Sequence, residues 1–278
     1  MMESIIRAAE QANAEADGDY RKDGLLYCGK CDTPKQCRVP ILGMERIVPC
    51  LCKCGKEERD SEEQEAKKTE ALRLMRDRRQ QGFPDAEMQS WTFDRDDNAN
   101  PSLSKLARNY ADHFPEMLQM GKGLLLYGEV GTGKTFIGAC IVNAVIDAGY
   151  TAQATNFGRI VNAVNSSYED RQEVYDELNS YDLLMIDDLA AERDTEYMQE
   201  IVFNVIDARA RNRKPLIITT NLTGEELNNP GDTRKKRIYS RLYELCLPFE
   251  VKGKDRRKLK LQSEYQELRN ILGGGKDA

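Results

Sequence analysis

One motif restricts the possible folds of this chain more than any other: GEVGTGKT at 128–135. It matches the pattern G-x-x-x-x-G-K-[ST], in which backbone amides curl around a phosphate group. The apolar run GLLLY precedes the motif, and the apolar-periodic segment KTFIGACIVNAVIDA follows it. A buried strand before the loop and a helix after it are the context that the motif requires. A glycine-rich turn that matches by chance lacks this context, so we predict a site for nucleotide phosphates.

The residues of the loop have separate expected roles. Lys134 is expected to reach the β- and γ-phosphates, and Thr135 to supply a hydroxyl to Mg²⁺. The N-terminus of the following helix points at the negative charge of the phosphates. The predicted binding residues for ATP in this loop are Gly128, Glu129, Val130, Gly131, Thr132, Gly133, Lys134, Thr135 and Phe136.

Two further hydrophobic strands end in polar side chains. The segment YDLLMIDD ends in Asp187, which is expected to hold Mg²⁺, and Asp188, which is expected to orient or deprotonate an attacking water. Paired acids also cap turns, but beside a phosphate loop the catalytic interpretation is favoured. The strand LIITT precedes Asn221, whose amide is expected to bind the attacking water or the γ-phosphate. Thr-Thr-Asn also suits an ordinary strand-to-loop turn.

From about residue 90 onward, apolar runs of strand length alternate with helical patterns. This alternation predicts an α/β fold in which helices cover both faces of a five-stranded parallel sheet. Strands are expected at 123–127, 151–155, 183–187, 216–220 and 247–251, and helices at 134–148, 157–166, 195–211 and 237–246.

The remaining sequence predicts a second, smaller module. Residues 56–81 contain 16 charged residues in 26, which indicates a solvated helix. The expected organisation is a small N-terminal module at 1–55, a charged helical linker at 56–89, an ATPase domain at 90–262, and a helix end with a disordered tail at 263–278.

Six of the eight cysteines lie between residues 26 and 55. The chain lacks an apolar run of eighteen residues and a basic, apolar leader, which predicts a cytoplasmic protein with no membrane partner. In that reducing compartment, clustered cysteines indicate metal or redox chemistry rather than disulfides. A redox C-x-x-C motif is expected beside a strand-to-helix turn of a thioredoxin-like unit, and no such unit is predicted here.

Four of these cysteines form two short-spaced pairs, Cys28 with Cys31 and Cys52 with Cys54. Structural zinc prefers four sulfur ligands in a tetrahedron, so we predict a zinc site held by these four. Cys37 and Cys50 are alternatives for one of the ligands. Cys140 and Cys246 lie in apolar surroundings and are expected in the core, and the only histidine, His113, is not expected to bind zinc.

Charge is distributed unevenly along the chain. The net charge is -6, but residues 234–260 hold eleven Lys or Arg and three Asp or Glu, a local balance of +8. A basic zone of this size is a candidate surface for a polyanion.

Taken in order, these elements resemble the AAA+ ATPases, and within them the helicase loaders of the DnaC/DnaI type, including phage-borne relatives. The segments IDDLAAERDTEYMQEIVFNVIDARARNRKPLIITTNLTGEELNNP and RIYSRLYELC carry the resemblance, as does the N-terminal LYCGKC with CLCKC. The resemblance implies a replication factor that binds a hexameric DnaB-type helicase and loads it onto single-stranded DNA. Weak ATP hydrolysis, stimulated by the helicase or DNA, would act as a switch, and protomers would associate through their ATPase interfaces.

The resemblance also assigns residue roles by position. Arg241, with Arg237 as the alternative, matches the arginine that completes a neighbour's site, a contribution of ~10³ to 10⁵ in rate. Arg256 or Arg257 matches the arginine that contacts nucleotide from the same chain. A solvated basic surface is the competing interpretation for all four, and for Arg257 it is the favoured one.

The family's DNA-contacting element corresponds to TNFGRIVNAVNSSY, which supplies Phe157, Arg159 and Tyr168. Single-stranded DNA grooves combine cations with aromatic platforms. Phe157 also suits an ordinary core position.

The sequence departs from the family pattern in two places. Asp188 stands where many relatives have glutamate, which favours slow hydrolysis, with Glu192 as an alternative assisting residue. Only 27 residues follow Val251, so a full four-helix lid is not expected.

Two other functions fit the same elements. A transposition helper ATPase of the IstB type shares the phosphate loop and the acidic strand end. A nucleotide-dependent factor that sequesters the helicase without productive hydrolysis is compatible with Asp188.

Overall fold

The computed structural model describes residues 15–41, 43–167, 171–189 and 195–272. The chain divides into two compact units, Met1–Arg73 and Leu74–Ala278. The boundary between the units falls within one long helix, and each unit is described by itself.

The N-terminal unit contains two antiparallel hairpins. They consist of β1 (Tyr20–Lys22) with β2 (Leu25–Tyr27), and β3 (Gln36–Ile41) with β4 (Met44–Pro49). Asp23 and Gly24 both have positive φ angles, 51° and 76°. Because an Asp-Gly pair adopts this conformation at little cost, it allows a two-residue turn between β1 and β2.

A 30-residue helix, α1 (Lys53–Gly82), follows the second hairpin. Glu, Lys, Arg, Gln and Ala dominate it, and these are strong helix formers. Most of its side chains are exposed, including the ion pair of Lys67 with Glu63 at 2.8 Å. The solvated helix predicted over 56–81 is therefore present and three residues longer at its start.

The second unit is built on a five-stranded parallel sheet. Its strands are β5 (Gly123–Tyr127), β6 (Ala152–Asn156), β7 (Leu183–Leu189), β8 (Leu216–Thr220) and β9 (Cys246–Glu250). Their order across the sheet is β6-β7-β8-β5-β9. The helices are α2 (Pro101–Asp112), α3 (Phe114–Met120), α4 (Lys134–Asp147), α5 (Phe157–Ser166), α6 (Arg171–Ser180), α7 (Glu196–Arg211), α8 (Gly224–Asn228), α9 (Thr233–Leu245) and α10 (Arg256–Ile271).

Alternate residues of the strands supply two hydrophobic cores. Leu125, Ile186 and Ile218 pack with residues of α5, α7 and α9. Leu124 and Met185 pack with residues of α2 and α4 in the second core. Since both faces of the sheet are covered, the central strands β5, β7 and β8 are largely apolar rather than alternating. The edge strands β6 and β9 contain polar or exposed residues.

The predicted fold class, a five-stranded parallel α/β sheet with helices on both faces, is confirmed. Some boundaries differ by a few residues. The helix expected at 237–246 begins at Thr233, where Asp232 caps it, and Cys246 begins β9 instead of ending the helix. In the part of the chain that the structure describes, no helix combines the length and apolar character needed to cross a membrane.

Candidate nucleotide-binding site

The phosphate loop links β5 to α4 at the carboxyl edge of the sheet. Gly133 precedes α4 with a φ of 95°, and Gly128 has a φ of 132°. A Cβ on Gly128 would lie 2.6 Å from the Val251 carbonyl oxygen, so a larger residue fits neither the backbone angle nor the space. These glycines let the loop turn back on itself beside the N-terminus of α4, which is the arrangement that binds phosphate.

Lys134 is buried at the start of α4, and its ammonium group is held by three oxygens. It donates to the carbonyls of Gly128 at 2.8 Å and Glu129 at 2.6 Å, and to Asn221 Oδ1 at 2.9 Å. Burial lowers the pKa of Lys134, and the charges of Asp188 and Asp187 oppose that shift. A lysine anchored in this way is positioned to contact phosphate oxygens.

The end of β7 presents both predicted acids. Asp187 accepts hydrogen bonds from the hydroxyls of Thr219 and Thr135. Burial raises the pKa of Asp187 above its usual range, and those two hydrogen bonds oppose the rise. A hydroxyl and a carboxylate are oxygen donors that suit Mg²⁺, so Thr135 and Asp187 fit this ion.

Asp188 is oriented differently from its neighbour because the strand is irregular there. The register between β7 and β8 shifts between Ile186 and Leu189, and Asp188 has a φ of 55°. A break of this kind in the pleat re-aims side chains. Asp188 lines the cavity above the phosphate loop, where Asn221 Nδ2 donates to its carboxylate at 3.3 Å.

That cavity has a volume of about 370 Å³. Besides the phosphate loop, it is lined by Trp91, Arg95, Asp188, Asn221, Arg256 and Arg257. Sequence reasoning missed Trp91 and Arg95 because they lie well before β5, the strand that leads into the phosphate loop, and belong to no motif. Asn143 on α4 fixes this segment, since its amide donates to the carbonyls of Met88 at 3.0 Å and Trp91 at 2.9 Å.

The two arginines suggested for a neighbour's site lie on α9, and neither of them lines the cavity of their own chain. Arg241 Nε lies 3.1 Å from Asp207, and its Nη1 donates to Glu244 at 2.6 Å. The Arg237 guanidinium lies 4.6 Å from the centroid of the Phe203 ring.

Phe157 and Arg159, the described residues considered for DNA contact, have different surroundings. Phe157 is 1% exposed and packs in the hydrophobic core, which confirms the core interpretation and contradicts its role in DNA contact. Arg159 is on the surface and lies 3.2 Å from Asp85. Tyr168 and Glu192 fall outside the described residues.

The N-terminal unit brings four sulfurs together. The Sγ atoms of Cys28, Cys31, Cys52 and Cys54 all lie within 4.8 Å of one another. Cys54 is 3.5 Å from Cys28 and 3.4 Å from Cys52. Tetrahedral zinc with sulfur ligands at 2.3 Å places sulfurs about 3.8 Å apart, so this set fits zinc.

The other cysteines have different surroundings. The Cys50 thiol lies 3.5 Å from the Pro34 carbonyl oxygen and next to Cys37. Neither Cys37 nor Cys50 belongs to the group of four sulfurs. Cys140 and Cys246 are buried in the second unit, as predicted, and burial raises the pKa of each thiol to about 12.

Fold and site together define a phosphate-loop nucleotide-binding domain of the AAA+ class. Residues 92–243 match the family described as the bacterial DnaA ATPase domain. This match spans more than half of the chain, which therefore belongs to that family. ATPase activity and the binding of nucleotide with Mg²⁺ are general properties of such domains.

Individual relatives agree with this assignment. The replicative helicase loader DnaI of Bacillus subtilis is 26% identical over 60% of this chain and 58% of its own. A putative ATP-binding protein in an insertion sequence of Mycobacterium tuberculosis is 30% identical over 57% of this chain and 62% of its own. The crystal structure of the DnaC helicase loader, 21% identical, aligns over 60% of this chain and 100% of that one with a TM-score of 0.50.

The predicted resemblance to AAA+ ATPases of the DnaC/DnaI type is thereby confirmed. The chain spans about three-fifths of the length of the two curated relatives. The likeness to the DnaC structure concerns the fold alone.

Proposed function

We propose that this protein is an ATP-dependent loader of a hexameric, DnaB-type replicative helicase onto single-stranded DNA. The observation that carries the proposal is the linked set Lys134, Asn221 and Asp188 above the phosphate loop, in a chain similar to helicase loaders. Hydrolysis is weak, is stimulated by helicase or DNA, and acts as a switch.

Each residue of the site has a defined task in this proposal. The loop amides and Lys134 bind the phosphates, while Thr135 and Asp187 would hold Mg²⁺. That ion would neutralise charge that develops on the phosphates. Asn221 holds Lys134 and Asp188 in fixed relation through its two amide atoms. Asp188 then orients the attacking water, and its short side chain limits the rate.

Arg241 is the proposed contribution to a neighbouring protomer's site. The buried Asp207 and the exposed Glu244 hold its guanidinium, and the Arg241 side chain is 42% exposed. A cation held in this way is available to a second copy of the chain without a large entropy cost. Arg237 is the alternative, since the Phe203 ring supports its guanidinium.

The N-terminal unit is the proposed docking module for the helicase. Zinc held by Cys28, Cys31, Cys52 and Cys54 would fix the hairpins to the start of α1. Ile41, Met44 and Ile47 of the second hairpin are between 40% and 59% exposed, an apolar content that supports protein contact.

The proposal is tested by helicase loading onto circular single-stranded DNA with the full chain. Lys134→Ala should abolish ATP turnover and loading, because the triphosphate loses its main cationic contact. Lys105→Ala, which removes an exposed lysine on α2, is the matched control and should retain both activities. Helicase inhibition that needs no ATP and persists in Lys134→Ala would contradict the loader proposal.

A second candidate function is that of a transposition helper ATPase. It is favoured by the similarity to the ATP-binding protein of an insertion sequence. Binding to an immobilised hexameric helicase distinguishes the two functions. A transposition helper would not be retained by the helicase, and it would hydrolyse ATP with DNA alone.

A further inference from the structure

The loop before α10 crosses the phosphate loop. The backbone N–H of Arg256 donates to the Gly131 carbonyl at 2.9 Å. A Cβ on Gly131 would collide with the Asp255 carboxylate, and one on Gly133 would lie 3.1 Å from Arg256 Nη1. Residues 255 and 256 therefore lie directly against the two glycines whose amides would surround a phosphate.

Two side chains of the segment 96–100 hold this loop in place. The Asp97 carboxylate forms an ion pair with Arg256 Nη2, and Asn100 Nδ2 donates to the Lys252 carbonyl at 3.0 Å. The hydrogen bond from Arg256, with a smaller contribution from its charge, holds the pKa of Asp97 below its usual range, which agrees with a close pair. We call segments 96–100 and 252–256 together the strap.

The strap places the Asp255 carboxylate next to the phosphate loop, which would bind negatively charged phosphates. Asp255 caps α10, since its Oδ1 accepts from the N–H groups of Arg257 at 3.0 Å and Lys258 at 3.4 Å. The same carboxylate touches Gly131, so incoming phosphates and Asp255 repel each other. Arg256 lines the cavity and is attracted to phosphates, but Asp97 neutralises it.

We propose that the strap is a nucleotide-sensitive latch, in which Asp97 holds Arg256 beside the phosphate loop and the phosphates of a nucleotide take Arg256 from Asp97. Asp97 is thus a positioning residue that acts through Arg256 and competes with the ligand. This inference rests on the proposed nucleotide site but does not depend on a helicase or on DNA.

The exchange of partners is favourable for Arg256. Side chains of Asp97 and Arg256 are 59% and 34% exposed, and pairs this exposed contribute little. A polyphosphate offers a charge-assisted and bidentate partner, which is stronger. Removing the Asp97 charge should therefore tighten nucleotide binding by roughly two- to five-fold, the range set by an exposed ion pair.

The experiment measures the affinity of the full chain for a fluorescent ATP analogue with Mg²⁺. Asp97→Asn should bind two- to five-fold more tightly than the wild type, and Asp97→Glu should restore the wild-type value. Asp94→Asn, which neutralises an exposed acid three residues away, is the matched control and should leave affinity unchanged. In an Arg256→Ala background, Asp97→Asn should have no effect, because its influence passes through the arginine.

The outcomes separate the latch from the proposed function. Wild-type binding with equal or weaker binding by Asp97→Asn would overturn the latch alone. The same holds if Asp97→Asn tightens binding equally in the Arg256→Ala background. A wild-type chain that does not bind the analogue at all would overturn both proposals. A thermal unfolding midpoint within error of the wild type for Asp97→Asn excludes a general loss of structure.

Discussion

The two units of this chain reach stability by different physical means. Among the described residues of Met1–Arg73, the buried apolar side chains are Leu26, Cys28 and Cys52, and two of these three are in the group of four sulfurs. The second unit buries two extensive clusters, one on each face of its sheet. A small unit with so little apolar burial needs a metal or a cross-link, whereas a five-stranded sheet between helices does not.

The difference is consistent with separate proposed roles for the two units. The nucleotide site needs side chains held at the edge of a rigid sheet, and it tolerates the irregular backbone at Asp188 because the strands around it are buried. The proposed docking hairpin needs exposed apolar side chains, which the proposed zinc site would support without a large core.

The largest expected effect is the loss of zinc from the N-terminal unit. Cys28→Ser should unfold residues 15–52, because structural zinc in small domains contributes on the order of 10 kcal/mol. Zinc content should fall from about one per chain to near zero, measured by metal analysis. Hydrogen exchange should show loss of protection in the hairpins only.

Cys37→Ser is the matched control for this prediction, because Cys37 lies in the same unit but outside the group of four sulfurs. Retained zinc in Cys28→Ser, or zinc loss in Cys37→Ser, would refute the assigned ligands. If a chelator unfolded both units, the second unit would also depend on a metal, and the two units would not differ in how they are stabilised.

The second largest expected effect is confined to the second unit and leaves the zinc content of the N-terminal unit unchanged. Leu125→Ala should destabilise the second unit by about 2–5 kcal/mol, because it opens a cavity in a fully buried strand. Trp91 is the only tryptophan and belongs to this unit, so urea unfolding followed by its fluorescence measures that unit alone. Leu72→Ala, on an exposed part of α1, should change neither the transition nor the zinc content.

Much of the second unit could be predicted from the sequence because local signals agreed with the tertiary structure. Strands 123–127 and 216–220 and helix 157–166 have the predicted limits. Each has a strong apolar pattern that ends at a polar or glycine residue, and the phosphate loop fixes what lies on either side of it. The two acids could be placed at the same edge because parallel strands end there.

Other parts depend on contacts between distant residues and have no local signal. The position of Trp91 in the cavity wall is supported by a hydrogen bond from the Asn143 amide, which lies 52 residues away in the sequence. Phe157 looked suitable for stacking with a base, but it opens an amphipathic helix whose apolar face packs on the sheet. The hairpins were not predicted because their strands are short and their side chains largely exposed.

The third effect concerns a buried cation in the second unit. Arg209 is fully buried and donates to the carbonyls of Leu178 at 3.2 Å, Tyr181 at 2.7 Å, Asp182 at 3.4 Å, and Pro215. Burial lowers its pKa to about 9. Arg209→Met would remove this donor from all four carbonyls, although the Pro215 carbonyl would keep the Leu184 N–H at 3.4 Å. The substitution should lower the free energy of unfolding of the second unit, followed by Trp91 fluorescence, by about 1–3 kcal/mol.

The control for Arg209 is Arg211→Met, two residues along the same helix. Arg211 is 71% exposed and pairs with Asp207 at 3.0 Å, so its loss should change stability by roughly 0.5 kcal/mol or less. Equal effects of the two substitutions would show that the buried carbonyls do not depend on Arg209.

The smallest effect tests the end of α1, which belongs to the second unit. Arg79 donates to both carboxylate oxygens of Asp147, at 2.6 and 2.5 Å, and both side chains are partly exposed. Arg79→Ala should therefore cost at most about 1 kcal/mol in the Trp91 transition, and less at high salt. Zinc content should not change, because both residues of the ion pair lie in the second unit, which is stabilised by its sheet and not by zinc. A zinc loss in this variant would mean that α1 couples the stabilities of the two units, and the contrast between a metal-dependent unit and a core-dependent one would then no longer hold.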